Sequence, residues 1–293
     1  LAVSSLARAA RPPLARRALL LSTQRLRSTG VLEDDDDDAG ARHGIDTAAF
    51  LAEHQIELVG DVDDVDTTPL QDFRDITRVD DEGAPAPLPG AIRTFFRQKS
   101  FAAPTPIQAQ ALPLALQGRD VVGIAQTGSG KTLGFLLPML WSCAEASKGE
   151  KAAKREIGAP RGIVLAPTRE LAQQIEVEAE KFSAHGGCKT CVVYGGAPKG
   201  PQIGILSRGR PALVVGTPGR CNDLLELANP PVTNLDHCVF LVLDEADRML
   251  DMGFEPQIRR IVQRCPDRRQ TLFFTATWPR EVRSLASEFL SEP

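Results

Sequence analysis

Residues 121–132 read Val121-Val-Gly-Ile-Ala-Gln-Thr-Gly-Ser-Gly-Lys-Thr132, and an apolar stretch follows from Leu133. The first five residues have the length and character of a buried strand, and the apolar stretch after the loop predicts a helix. Between them, Gly128 and Gly130 let the backbone turn its N–H groups inward around phosphate oxygens, aided by the positive end of the helix dipole. Lys131 is then placed to reach the β- and γ-phosphates of a nucleotide, and the Thr132 hydroxyl to coordinate Mg2+. Ala125, Gln126, Thr127 and Ser129 complete this phosphate loop, with Ala125 where such loops usually carry their first glycine. A glycine-rich turn without a nucleotide is the competing reading. The strand-loop-helix setting and the Gly130-Lys-Thr132 ending argue against it.

From Ala91 onward, short apolar runs alternate with helical patterns, which points to repeated βα units around a parallel sheet. Strands are expected at 121–125, 163–166, 190–193, 212–215, 239–243 and 271–274. The loops that follow them should lie at one edge of the sheet, where open α/β sheets bind ligands.

A nucleotide site of this kind needs a carboxylate for the metal and a base for water. Asp244-Glu-Ala-Asp247 stands directly after the apolar run 239–243. Asp244 is the candidate Mg2+ ligand, largely through water, and Glu245 the candidate base. Lys131, Asp244 and Glu245 are thus the candidate catalytic set. An exposed acidic turn is the alternative, and it fits poorly with a position after a buried strand.

This tetrad downstream of such a loop resembles the DEAD-box RNA helicases. Phe101-Ala-Ala-Pro-Thr-Pro-Ile-Gln108 is similar to that family's Q motif, in which Gln108 would read the adenine edge and Phe101 would pack on the base. Gln108 offers the donor and acceptor that adenine needs. Phe73 is the candidate for a further upstream stacking aromatic, although its spacing from Phe101 is about ten residues too long for the family pattern. Pro167-Thr168-Arg169 begins a stretch similar to motif Ia, Gly195-Gly196 resembles the GG motif, and Thr217-Pro218-Gly219-Arg220 resembles motif Ib. The resemblance implies contact of all three with an RNA backbone, read as phosphate and sugar rather than as sequence. Thr275-Ala276-Thr277 occupies the place of motif III, which usually begins with Ser. Thr275 is expected to bond the Asp247 carboxylate and couple the two sites.

The resemblance implies a RecA-like P-loop NTPase domain, ATP and Mg2+ as cofactors, and an ATP-dependent RNA helicase as the whole protein. It implies a second RecA-like domain in cis that supplies arginines to the transferring phosphoryl group. No arginine-finger motif follows Thr277, and such a finger is worth about 10^3- to 10^5-fold in rate. The 293 residues are therefore expected to act as an N-terminal fragment, with weak ATP binding and negligible hydrolysis. A non-enzymatic, ATP-gated RNA clamp is the alternative function. An ATPase acting on DNA or protein is a third, disfavoured by the Q, Ia, GG and Ib set.

Charge divides the chain unevenly. Residues 1–32 hold six arginines and no acid, residues 33–90 three arginines against eighteen acids, and the remainder 25 basic against 20 acidic residues. The first stretch has the composition of a transit peptide, with mitochondrion the first expectation and plastid, nucleus or cytoplasm behind it. A basic tail touching RNA is the other reading. Residues 33–87 are expected to be an acidic, mostly disordered linker with one amphipathic piece near 48–58, and residues 88–293 the folded domain. No apolar run reaches 18 residues, so no membrane role is expected. Six cysteines are scattered without a disulfide framework. Cys188 and Cys191 have metal-pair spacing but no second pair, and a structural place in a strand is favoured. A monomer is expected, though nothing in the sequence decides it.

Overall fold

The computed structural model describes residues 18–23, 46–60, 65–79, 85–87, 92, 96, 103–146, 159–186, 188–227 and 232–290. All six expected strands form, each within one residue of its expected bounds: β5 (Asp120–Ile124), β6 (Gly162–Leu165), β7 (Thr190–Val193), β8 (Leu213–Gly216), β9 (Phe240–Leu243) and β10 (Gln270–Thr275). They are mutually parallel in the order β5-β10-β9-β6-β8-β7. β6, β8, β9 and β10 are buried at every position, which explains their unbroken apolar sequences.

Alternate residues of these strands feed two cores. Val121, Val164, Val215, Val242, Leu272 and Phe274 pack toward one face, with α2 (Pro106–Leu116), α3 (Lys131–Ala146) and α4 (Arg169–Gly186). Val122, Ile163, Leu165, Leu241, Leu243 and Phe273 pack toward the other. That face is covered by α5 (Lys199–Gly209), α6 (Pro218–Leu225), α7 (Ala246–Asp251), α8 (Glu255–Val262) and α9 (Arg280–Phe289). Phe273 and Phe274 are both fully enclosed, each contributing about 1.5 to 3 kcal/mol of burial. The result is the RecA-like arrangement of a parallel sheet between two helical layers.

Upstream of this unit the expectation of a mostly disordered linker is corrected. α1 (Thr47–Glu53) overlaps the expected amphipathic piece and leads into β2 (Ile56–Val59). Leu70 donates its N–H to the Ala109 carbonyl at 2.8 Å, and Gln110 Nε2 donates to the Thr67 carbonyl at 2.9 Å. Phe73, in a short 3-10 turn, and Ile76 are buried in the first core, ahead of a small hairpin of β3 (Thr77–Val79) and β4 (Pro85–Pro87). Average acidity hid three well-spaced apolar residues, and the backbone bonds to α2 do not depend on side-chain identity at all. β1 (Ala18–Thr23) adds a further strand parallel to β5 and antiparallel to β2. The rest of the arginine-rich stretch 1–32 lies outside the described residues.

Cys188, two residues before β7, and Cys191, within it, are both buried, and burial pushes the Cys191 thiol up to about 12. A packed strand, not a metal pair, is their setting. Among the described residues no helix is long and apolar enough to cross a membrane.

Candidate active site

Backbone bonds at the C-terminal ends of the strands tie the motif-bearing loops together. Ala125 donates to the Thr275 carbonyl at 2.9 Å, Asp244 to Leu165 at 2.9 Å, Ala166 to Gly216 at 3.0 Å and Thr217 to Val193 at 3.1 Å. The phosphate loop, the acidic tetrad and the three stretches resembling Ia, Ib and GG therefore share one edge of the sheet.

The loop from Ala125 to Thr132 leaves β5 with Gln126, Thr127 and Gly128 exposed and Ser129 and Lys131 buried. Gly128 and Gly130 have φ of +80° and +89°, a region that L side chains rarely occupy. Gly130 is doubly constrained, because a Cβ there would lie 2.5 Å from Gln108 Nε2. Lys131 Nζ lies 4.0 Å from Asp244 Oδ1 with both side chains about 5% exposed, within ion-pair reach but beyond hydrogen bonding. Both atoms, and Ser129 Oγ, are buried without a hydrogen-bond partner. Three orphaned polar atoms around a glycine loop are costly unless a ligand satisfies them, and their chemistry, one cation, one carboxylate and one hydroxyl, fits a metal-bound polyphosphate. Thr132 borders a cleft of about 590 Å3 whose far wall is the flank of α4. Burial pushes the Asp244 carboxyl up to about 6; nearby Lys131 opposes the shift and Glu245 adds to it.

Glu245 has φ +54° and ψ +52°, a left-handed conformation that costs a non-glycine residue about 1 to 2 kcal/mol. That strain falls on a residue only 8% exposed at the start of α7, and strained backbone of this kind is often found at functional sites. Arg248 Nη1 meets Glu245 Oε2 at 3.3 Å, a partner that the sequence reading did not single out.

The roles expected of Thr275 and Phe73 are corrected. Asp247 Oδ2 accepts from the Thr277 N–H and the Thr277 hydroxyl, each at 2.9 Å, while the Thr275 hydroxyl donates to the Thr277 carbonyl at 2.9 Å. Thr277, not Thr275, is the direct partner of Asp247, because Thr275 still belongs to buried β10 and faces inward. Gln108 is 7% exposed; its Oε1 accepts the Thr105 N–H at 3.0 Å and its Nε2 donates to the Gly130 carbonyl at 2.9 Å. One donor position of its amide thus braces the phosphate loop, and one acceptor position caps the start of α2. Phe73 is 4% exposed and stacks on Phe96 at 4.8 Å, so its ring is core and presents no face to a base. Phe101 lies outside the described residues.

Arg220 is also turned inward. It is 7% exposed and donates from Nη2 to the Ala197 carbonyl at 2.9 Å, with Asp223 3.7 Å from its Nε. It braces the loop after Gly195-Gly196. The Thr217 hydroxyl accepts the Gly195 N–H at 3.3 Å, joining the stretches resembling Ib and GG. Arg169 has its side chain 52% exposed, while Pro167 is buried and Thr168 Oγ1 accepts the Leu171 N–H at 3.2 Å at the start of α4. Gly195, Gly196, Ala276 and Thr277 are exposed, and Gly219 half-buried. Tyr194 and Gln202, which hold the Gly195-Gly196 loop, were not singled out from the sequence. The position of the sole tyrosine directly before that pair was the available signal.

The model of the DEAD/DEAH box helicase family matches residues 105–285. The chain is 52% identical over 214 residues to the ATP-dependent RNA helicase-like protein DB10 of Nicotiana sylvestris, a match covering 70% of the chain and 34% of that protein. It is 47% identical over 252 residues to DEAD-box ATP-dependent RNA helicase 30 of Arabidopsis thaliana, covering 85% of the chain and 38% of the relative. The chain thus spans little more than a third of these relatives' length. Among solved structures, the yeast DEAD-box splicing factor Prp28 superposes with a TM-score of 0.71 at 31% identity, covering 86% of the chain and 56% of Prp28.

Proposed function

The chain belongs to the DEAD/DEAH box helicase family, and from that premise we propose that it is the ATP-binding, RNA-contacting part of an ATP-dependent RNA helicase. The observation that carries the proposal is the buried trio Ser129 Oγ, Lys131 Nζ and Asp244 Oδ1, all without partners, gathered where a nucleotide's phosphates would lie. Lys131 binds the β- and γ-phosphate oxygens, and the loop N–H groups orient them. Glu245 orients the attacking water and accepts its proton as the γ-phosphoryl group leaves ADP. Thr132 and Asp244 would hold Mg2+, largely through water, and the ion would supply charge neutralisation to the phosphate oxygens.

RNA lies across the loops at 167–169, 195–196 and 217–220, with its backbone rather than its bases in contact. The joined Thr217–Gly195 loops and exposed Arg169 support this reading. A second RecA-like domain supplies the arginines that the reaction requires. On this reading the 293 residues bind ATP weakly and turn it over negligibly alone, and a monomer suffices. The arginine-rich stretch 1–32 gives the protein a mitochondrial address.

The test compares RNA-stimulated ATP turnover of the chain joined to such a second domain with its Glu245→Gln variant. Turnover should fall about 10^2- to 10^4-fold, the usual worth of a general base, while ATP binding persists. Unwinding that survives the substitution would favour a non-enzymatic RNA clamp. A fluorescent fusion of residues 1–45 that stays outside mitochondria would sink the address.

A further inference from the structure

Tyr194 follows β7 and directly precedes Gly195-Gly196. Four contacts fix it. Gln202 of α5, itself 7% exposed, accepts the Tyr194 N–H on Oε1 at 3.1 Å and donates from Nε2 to the Tyr194 carbonyl at 3.2 Å. The Tyr194 hydroxyl accepts from Gln173 Nε2 of α4 at 3.1 Å. The Arg169 guanidinium lies 5.5 Å from the centre of the tyrosine ring, a distance at which a ring face attracts a cation.

An exposed arginine ordinarily samples many rotamers, and holding it in one is an entropic cost to any anion it binds. Here the ring meets that cost before a ligand arrives. The same residue continues into the Gly195-Gly196 backbone, whose Gly195 N–H is already tied to Thr217. A single side chain thus links the cation at the start of α4 to the glycine loop at the end of β7.

We propose that Tyr194 is a positioning residue for RNA-backbone binding, its ring holding the Arg169 guanidinium beside the Gly195-Gly196 loop so that both address the same run of phosphates. The proposal rests on the reading of these loops as the RNA face. Gln202 and Gln173 act through Tyr194, one on its backbone and the other on its hydroxyl.

The test is a double-mutant cycle on the 293-residue chain, with the affinity for a labelled single-stranded RNA oligonucleotide measured across a salt series. Tyr194→Leu should weaken binding about two- to fivefold, the size of an exposed cation–π contact. Tyr194→Phe should stay near wild type because the ring remains. Arg169→Ala should make the salt dependence shallower by about 0.7 in log–log slope, one phosphate contact on a single strand. The double variant should bind like Arg169→Ala alone. The assignment is overturned if Tyr194→Leu has no effect, if Tyr194→Phe is as weak as Tyr194→Leu, or if the two losses add. An equal loss of ATP affinity in Tyr194→Leu would mark general damage and overturn it too. If Arg169→Ala changes neither affinity nor slope, the RNA face itself is misplaced, an outcome distinct from additivity with an intact Arg169 effect.

Discussion

Lys131 Nζ and Asp244 Oδ1 face each other across 4.0 Å in a buried site, and neither makes a hydrogen bond. The pair is held apart by two different strands, with β10 lying between them in the sheet. Each side chain extends from a loop fixed by backbone bonds, Ala125 to Thr275 and Asp244 to Leu165. The site therefore holds an unsatisfied charge pair, which the proposed nucleotide with its metal would relieve.

Asp244→Asn should change stability in a pH-dependent way. Burial raises the Asp244 carboxyl to about 6, above the unfolded value near 4, so the folded chain holds a proton that the unfolded chain has released. Stability from this group is full below about pH 4 and is lost as pH rises through 6, roughly 2 to 3 kcal/mol in all. The asparagine variant mimics the protonated acid throughout. Without nucleotide it should melt several degrees above wild type at pH 7.5 and level with it at pH 4. Melting curves across this range check it, and parallel curves would show that Asp244 is better solvated than its burial implies.

Asp247 and Thr277 should behave as one unit. The carboxylate accepts from both the amide and the hydroxyl of Thr277, so Asp247→Ala and Thr277→Val should be non-additive by about 0.5 kcal/mol or more in urea melts. Asp247→Ala combined with Thr275→Val should come closer to additivity, since Thr275 reaches Asp247 only through Thr277.

The strands, the phosphate loop and the acidic tetrad were legible because their side-chain types carry the signal: apolar runs, glycines with a following lysine, paired acids after a strand. The inward contacts of Gln108, Arg220 and Thr275 were not foreseen, for one shared reason. Each donates one hydrogen bond to a backbone carbonyl, of Gly130, Ala197 and Thr277 respectively, and a carbonyl has no sequence signature. Residues 66–76 were hidden differently, since a net negative stretch reads as solvated even when Leu70, Phe73 and Ile76 anchor it to α2 and the core. Tyr194 escaped notice because a lone aromatic has no periodicity to reveal it.

Arg220→Met should cost stability without changing the salt dependence of RNA binding. Its guanidinium is enclosed and supports the Ala197 carbonyl, so removal leaves that carbonyl short of a partner, about 1 to 3 kcal/mol, while Asp223 keeps Lys199 at 2.9 Å. An affinity loss should follow from the slackened glycine loop, with the log–log slope unchanged. A slope shallower by about 0.7 would instead mean that Arg220 meets a phosphate directly.

Residues 1–32 raise a conflict that an experiment can resolve. Their arginine-rich composition suits a leader removed on import, yet Ala18–Thr23 forms β1, in register with Asp120–Ile124 on one side and Ile56–Val59 on the other. Cutting after residue 32 removes β1, bares the edge of the strand that carries the phosphate loop, and leaves β2 without its recorded neighbour. Each ladder bond is worth about 1 kcal/mol net. Residues 33–293 should therefore melt a few degrees below residues 1–293, and amide exchange at 121–124 should quicken, with a smaller fall in ATP affinity because β10 still supports β5 from the other side. Equal melting and equal exchange would mean that β1 adds nothing to the fold. The leader could then be lost without consequence for the site.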